Sequence, residues 1–144
     1  MIYILIIICI FVGDGFIKKY IEETKQYGKE EKICDGKIII NKYHNKGAML
    51  NFLERKAEVV LVISSFILGI IVTFFAMLIP KKGNKMLKFG LSLMIGGALS
   101  NTYDRVKRGY VVDYFSFSCL KKIVFNISDF CIFIGSFFAT LGKK

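Results

Sequence analysis

Between Val59 and Ile79 the chain runs for 21 residues without a charged side chain. A helix rises about 1.5 Å per residue, so this run reaches roughly 32 Å, enough to cross a bilayer's hydrocarbon core. A buried helix in a soluble domain of this size would show a polar stripe, and this run has none. It reads as a membrane span. Pro80 and the basic stretch Lys81-Lys82-Gly83-Asn84-Lys85 end it.

The rest of the chain is then parsed as further apolar blocks separated by polar loops. The run Met1 to Phe11 continues to Ile17 with a single acid, Asp14. A cleaved signal peptide would show a basic leader and small residues at a cleavage point, and this run shows neither. It reads as a retained helix. The expectation is a mainly α, four-transmembrane-helix bundle, with helices at about 2–21, 59–79, 86–103 and 124–141. Residues 1–144 form a single membrane-embedded domain, with loops 22–56 and 104–123 on one side. In the first loop Asp35-Gly36 is a turn signal before the β-branched run Ile38-Ile39-Ile40, which predicts a small β-sheet between helices 1 and 2. In the third helix Gly96, Gly97, Ala98 and Ser100 are small enough for helices to approach closely.

A net charge of +10 raises the question of nucleic acid. The lysines, however, alternate with Glu22, Glu23, Glu30, Glu31 and Asp35 or flank apolar blocks, without zinc-finger spacing or an aromatic RNA-binding pattern. Such flanks suit anionic headgroups, so membrane lipids and no nucleic acid are the expected partners. Cys9 and Cys131 lie in apolar runs and read as small buried hydrophobes. Cys34 and Cys119 lie in polar segments and are free to pair or not. His44 is the only histidine and has no ligand cluster around it, so no metal is expected.

Ionisable groups in or beside spans are costly and are functional candidates by default. Asp14 and Lys18 are spaced i, i+4, as are Asn101 and Arg105. Asp113 stands between Val111-Val112 and Tyr114-Phe115, and Asn126 and Asp129 open the fourth helix. Plain structural readings exist for most of these. Lys18 could snorkel to headgroups beside Asp14, Asn101 and Arg105 could anchor a helix end, and Asn126 with Asp129 fits an N-cap and a first-turn acid. Asp113 fits neither a solvated charge run nor a turn. Their convergence on one membrane face favours a site.

The stretch Gly96-Gly97-Ala98-Leu99-Ser100-Asn101-Thr102-Tyr103-Asp104-Arg105, with Gly109-Tyr110-Val111-Val112-Asp113-Tyr114, resembles a block GGAxxNxxDR…GxVVDF. Phe125-Asn126-Ile127-Ser128-Asp129 resembles FNxAD, Asp14 to Lys18 a D-x-x-x-K, and Asn45-Lys46-Gly47-Ala48 an N-x-G-A. In this order they are similar to the lipoprotein signal peptidases (signal peptidase II), four-helix membrane aspartyl peptidases. The resemblance implies cleavage of prolipoproteins just before a diacylglyceryl-modified cysteine. It makes Asp113 and Asp129 the catalytic pair. Asn101, Arg105 and Asn126 become their support, Asp14 and Lys18 partners in the bundle, and Asn45 and Gly47 part of an extracytoplasmic sheet cradling substrate. It implies no cofactor, a monomer, and a multi-pass protein of the bacterial cytoplasmic membrane with its site near the outer face. Ser128 stands where the family has alanine, and Met49-Leu50 where it has Ala-Phe.

Charge counts do not by themselves fix orientation. The two loops on the site side carry thirteen Lys and Arg, against six in the middle loop and at the C-terminal end. Chemically, two close carboxyls repel, so one stays protonated while the other is ionised. The ionised one activates water and the protonated one donates to the carbonyl oxygen. Asp129 at a helix N-terminus is expected to be the base and Asp113 the acid. The alternatives are an inactive family member binding lipidated peptides, and a small transport subunit with a relay through Asp14, Lys18 and Asp129.

Overall fold

The computed structural model describes residues 1–47, 54–120 and 123–142. Among them are four helices, α1 (Ile2–Thr24), α2 (Ala57–Leu78), α3 (Lys85–Arg108) and α4 (Ile127–Leu141). A three-stranded antiparallel sheet, ordered β1 (Glu31–Ile33), β2 (Ile38–Asn45), β3 (Val111–Phe117), accompanies them. Ala48, Met49 and Leu50, together with Lys143 and Lys144, fall outside the described residues. Helix α3 is central, with α1, α2 and α4 packed on it. A Cβ on Gly97 would lie 2.5 Å from the Ser128 carbonyl oxygen, so α3 and α4 meet backbone to backbone. The small residues of α3 permit that approach.

Side chains are distributed the opposite way from a soluble domain. Phe66 and Phe16 are 70% and 69% exposed, while Asp14 and Lys18 are each 1% exposed. Helix α2 is the one described helix long and apolar enough to cross a membrane, and only 17% of its apolar stretch is buried. A soluble core helix would be mostly buried, whereas α2 presents its apolar surface outward. Helices α1 and α3 have 23 and 24 residues but carry buried charge; α4 is apolar with 15 residues. Cys9, expected to be buried, lies exposed on the outward face of α1, and Cys131 is half-buried. Cys34 and Cys119 are exposed free thiols.

Three boundaries differ from the sequence expectation in ways that matter for the site. Helix α3 does not end at Tyr103 but runs on to Arg108, stopping at Gly109 with φ +79°. Arg105, Lys107 and Arg108 favour the helix C-terminus electrostatically, and glycine alone takes the left-handed stop at little cost. Asp104 and Arg105 are therefore helical, one turn beyond Asn101. Helix α4 starts at Ile127 rather than near Val124, because Phe125 pairs with Phe115 in a short antiparallel bridge. Helix α1 continues past Ile21 to Thr24.

The sheet also differs: its third strand comes from the loop after α3, not from the segment between α1 and α2. Residues Val111 to Tyr114 are buried without interruption, so β3 lacks the alternation that marks a strand in sequence. Ile21, Val112 and Tyr114 pack together and seat the sheet on α1. Glu22 at the end of α1 adds polar ties to β2, with His44 Nε2 at 2.7 Å and Lys42 Nζ at 3.2 Å. His44 in turn stacks on Tyr110, ring centroids 3.9 Å apart.

Candidate active site

Asp113 is carried by β3, opposite Tyr43 of β2, and Asn45 faces Val111. Between Ile40 and Tyr43 the pairing shifts by one residue, a bulge that re-phases β2 and decides which side chains face the site. Asn45 Nδ2 donates to Asp113 Oδ2 at 3.0 Å. The Asn45 amide is itself oriented, since its Oδ1 accepts from Gly47 N at 3.1 Å. Arg105 Nη2 donates to the Gly47 carbonyl at 3.0 Å, tying this loop to α3.

Asp129 sits in the first turn of α4, where Asn126 is the N-cap. Asn126 Oδ1 accepts from Asp129 N at 2.9 Å and Asn126 N donates back to Asp129 Oδ2 at 3.1 Å, a reciprocal capping box. That geometry has a consequence for the dyad. With its oxygen occupied by the helix, Asn126 must present its NH2 group elsewhere, and it donates to Asp113 Oδ1 at 2.7 Å and Asn101 Oδ1 at 3.2 Å. Asn101 Nδ2 then donates to Asp129 Oδ1 at 2.9 Å. All four carboxylate oxygens of Asp113 and Asp129 thus accept a hydrogen bond from a backbone or amide N–H. The capping contacts of Asn126 and Asp129 and the contact of Asn126 with Asp113 therefore coexist in one arrangement.

Asp113, Asp129, Asn45, Asn101 and Arg105 line one cavity of about 200 Å³. Its other walls are apolar, with Ile123 and Val124 before α4 and Ile132 and Phe133 on it. Burial first, and then the charge of Asp129, push the Asp113 carboxyl up to about 7.

Behind this cavity lies a second polar layer. Lys18 does not snorkel outward. Its Nζ lies 2.9 Å from Asp14 Oδ2 and 3.2 Å from Asp104 Oδ2, and donates to Asn101 Oδ1 at 2.8 Å and Ser100 Oγ at 3.1 Å. A lysine surrounded by that many acceptors gains more inward than a headgroup offers. Arg108 Nη1, 3.3 Å from Asp104 Oδ1, brings a second cation, so two acids meet two bases. The Lys18–Asn101–Asp129 chain connects this layer to the dyad.

The structure therefore brings seven of the nine sequence candidates together: the carboxyls of Asp113 and Asp129, with Asn45, Asn101, Asn126, Arg105 and, through Arg105, Gly47 around them. Asp14 and Lys18 stand one layer back. Sequence reasoning passed over Asp104, Ser100, Tyr114 and Ser128 as site residues. Only Asp104, inside the N-x-x-D-R block, carried a signal that could have raised it. Among the described residues no group of three or more His, Cys, Asp or Glu is placed to hold a metal ion.

The comparisons with known proteins concern the family and the fold. A family model described as signal peptidase (SPase) II matches residues 6–142. The chain is 32% identical to a lipoprotein signal peptidase of Lactiplantibacillus plantarum, over 98% of this chain and 93% of that protein. A second, from Caldicellulosiruptor bescii, is 31% identical over 92% of this chain and 83% of its own length. Among solved structures, a bacterial membrane enzyme determined in meso at 2.3 Å superposes with a TM-score of 0.83 at 26% identity, covering 96% of this chain and 85% of that one. A match across nearly the whole length, in both sequence and fold, leaves one assignment: the chain belongs to the signal peptidase II family.

Proposed function

We propose that this protein is an aspartic endopeptidase that removes signal peptides from prolipoproteins, cutting on the N-terminal side of a diacylglyceryl-modified cysteine. The observation that carries the reading is the pair of carboxyls, Asp113 and Asp129, held at every oxygen by N–H donors in one cavity. Fixed donors orient both groups before substrate arrives, so little reorganisation is left for the reaction itself.

In the proposed cycle Asp129 is the base. It sits at the positive end of α4, inside the capping box, where negative charge is favoured. It takes a proton from a water, whose oxygen attacks the scissile carbonyl carbon. Asp113, protonated because burial and Asp129 raise it, donates its proton to the carbonyl oxygen as charge develops there. Collapse of the tetrahedral intermediate returns the carbonyl, gives the Asp129 proton to the departing cysteine amine, and restores the Asp113 proton from the intermediate's hydroxyl. Arg105, on the cavity wall, serves to orient the substrate backbone.

The apolar wall of Ile132 and Phe133 supports a substrate whose acyl chains remain in lipid while its peptide reaches the carboxyls. The outward-facing apolar surfaces of α1, α2 and α4 support four membrane spans and a monomer. By family resemblance the dyad and sheet lie at the outer face of the bacterial cytoplasmic membrane. The transport alternative loses its relay: Asp14 and Lys18 are closed into a cluster with Asp104 at the dyad end of the bundle.

The test is cleavage of a precursor peptide with and without diacylglyceryl on its cysteine, by purified protein in lipid. Cleavage confined to the lipidated peptide supports the proposal. Binding without turnover would make the chain an inactive family member.

A further inference from the structure

Asp113 and Asp129 lie on different elements, so their separation must be set by something joining β3 to α4. Each has a sequence neighbour whose hydroxyl is buried. Tyr114 follows Asp113, and Ser128 precedes Asp129. In a strand, consecutive side chains point to opposite faces, so with Asp113 in the cavity Tyr114 points behind it. There the Tyr114 hydroxyl donates to Asp14 Oδ1 at 2.9 Å. From α4, Ser128 Oγ donates to Asp14 Oδ2 at 2.5 Å. Both neighbours of the dyad thus grip a single carboxylate, contributed by α1.

We propose that Tyr114 and Ser128 are positioning residues that fix the distance between the two catalytic aspartates by holding opposite oxygens of Asp14. The inference rests on the dyad assignment and adds what spaces it. Two features make the clamp stiff. Asp14 cannot follow a drifting partner, because its Oδ2 also accepts from Lys18 Nζ at 2.9 Å and Ser100 Oγ at 2.7 Å. The Tyr114 hydroxyl, besides donating to Asp14, accepts from Ile127 N at 3.0 Å, which pins β3 directly to the first turn of α4. All members are sequestered from solvent, with Tyr114 4% exposed, Asp14 1% and Ser128 0%, so water cannot substitute for a lost hydroxyl without entering the bundle.

The experiment measures kcat and KM on a diacylglyceryl-modified precursor peptide, well below each variant's unfolding temperature. Tyr114→Phe and Ser128→Ala each remove one hydroxyl and leave the cavity lining intact. Each should lower kcat by about tenfold with KM within twofold, since small misplacements of reacting groups cost rate rather than binding. Ser128→Thr, which restores the hydroxyl, should recover most of kcat. Ser92→Ala is the matched control: its hydroxyl is equally buried but bonds Lys88 O, away from the dyad, and kcat should stay at the wild-type value. Wild-type kcat in both Tyr114→Phe and Ser128→Ala overturns the proposal, as does a loss that Ser128→Thr fails to restore. Should one variant not fold, the other decides. Asp113→Asn and Asp129→Asn, run in parallel, separate the two levels. If both are inactive while the clamp variants are normal, only the clamp fails; if either retains full turnover, the dyad reading fails.

Discussion

Asn126 offers the sharpest separation of stability from chemistry, because its side chain serves α4 with one atom and the dyad with another. Its Oδ1 caps the helix, whereas its Nδ2 donates to Asp113 Oδ1 at 2.7 Å. Asn126→Ser keeps a capping oxygen and loses the donor; Asn126→Ala loses both. Serine is about as good an N-cap as asparagine, so the first variant should stay within about 1 kcal/mol of wild type, and the second should fall about 1 kcal/mol further. The lost bond to Asp113 is common to both. With Asp113 as the protonated partner, the lost hydrogen bond is worth about 0.5–1.5 kcal/mol, which corresponds to roughly two- to tenfold in rate. Thermal unfolding in lipid and kcat/KM on a lipidated precursor peptide give the two axes. The variants should differ in stability and agree in activity. Activity that instead follows stability, with the serine variant near wild type, would refute the assignment of Asn126 Nδ2 to the dyad.

Other outcomes follow from the same geometry. Because Asp113 is raised to about 7 and acts as the protonated partner, kcat/KM should fall as pH rises through about 7, by tenfold per unit beyond it. A rate still rising from pH 7 to 9 would contradict that role. In Asn126→Ser this alkaline limb should move to higher pH, since the lost donor favoured the ionised form. Lys18→Met leaves Asp14 and Asp104 without the ammonium between them, and should cost about 3–5 kcal/mol in thermal or denaturant unfolding, as expected for a broken buried pair. Gly97→Ala places a methyl 2.5 Å from the Ser128 carbonyl oxygen, forcing α3 and α4 apart at a cost of about 1–3 kcal/mol, with kcat falling because Ser128 moves.

The helices were legible in the sequence as blocks of apolar residues, and α2 most clearly, since no charge interrupts it. Their ends were less so. The end of α3 is basic and polar like a loop, yet Arg105, Lys107 and Arg108 suit a helix C-terminus, and the true stop is Gly109. The third strand escaped because both its faces are covered, which erases the alternation a strand shows when one face meets solvent. Within the site, Asp113 stood out as an acid in an apolar run, and Asn126 with Asp129 as a helix start. Tyr114 and Ser128 gave no local sign of their contact with Asp14, 100 and 114 residues away. Such contacts arise only when α1 packs beside β3 and α4. The plain reading of Asp14 and Lys18 as an interfacial pair failed for a related reason: spacing along one helix says nothing about the acceptors a second helix brings.

The central claim is that Asp113 and Asp129 perform the hydrolysis and do not merely hold the fold or the substrate. Single-turnover cleavage of a diacylglyceryl-modified precursor peptide, with binding of the same peptide measured alongside, tests it directly on wild type, Asp113→Asn and Asp129→Asn. Both variants should bind the peptide about as tightly as wild type and cut it at least about a thousandfold more slowly, since each removes one half of a proton-transfer pair. Cleavage within tenfold of wild type by either variant would contradict the account.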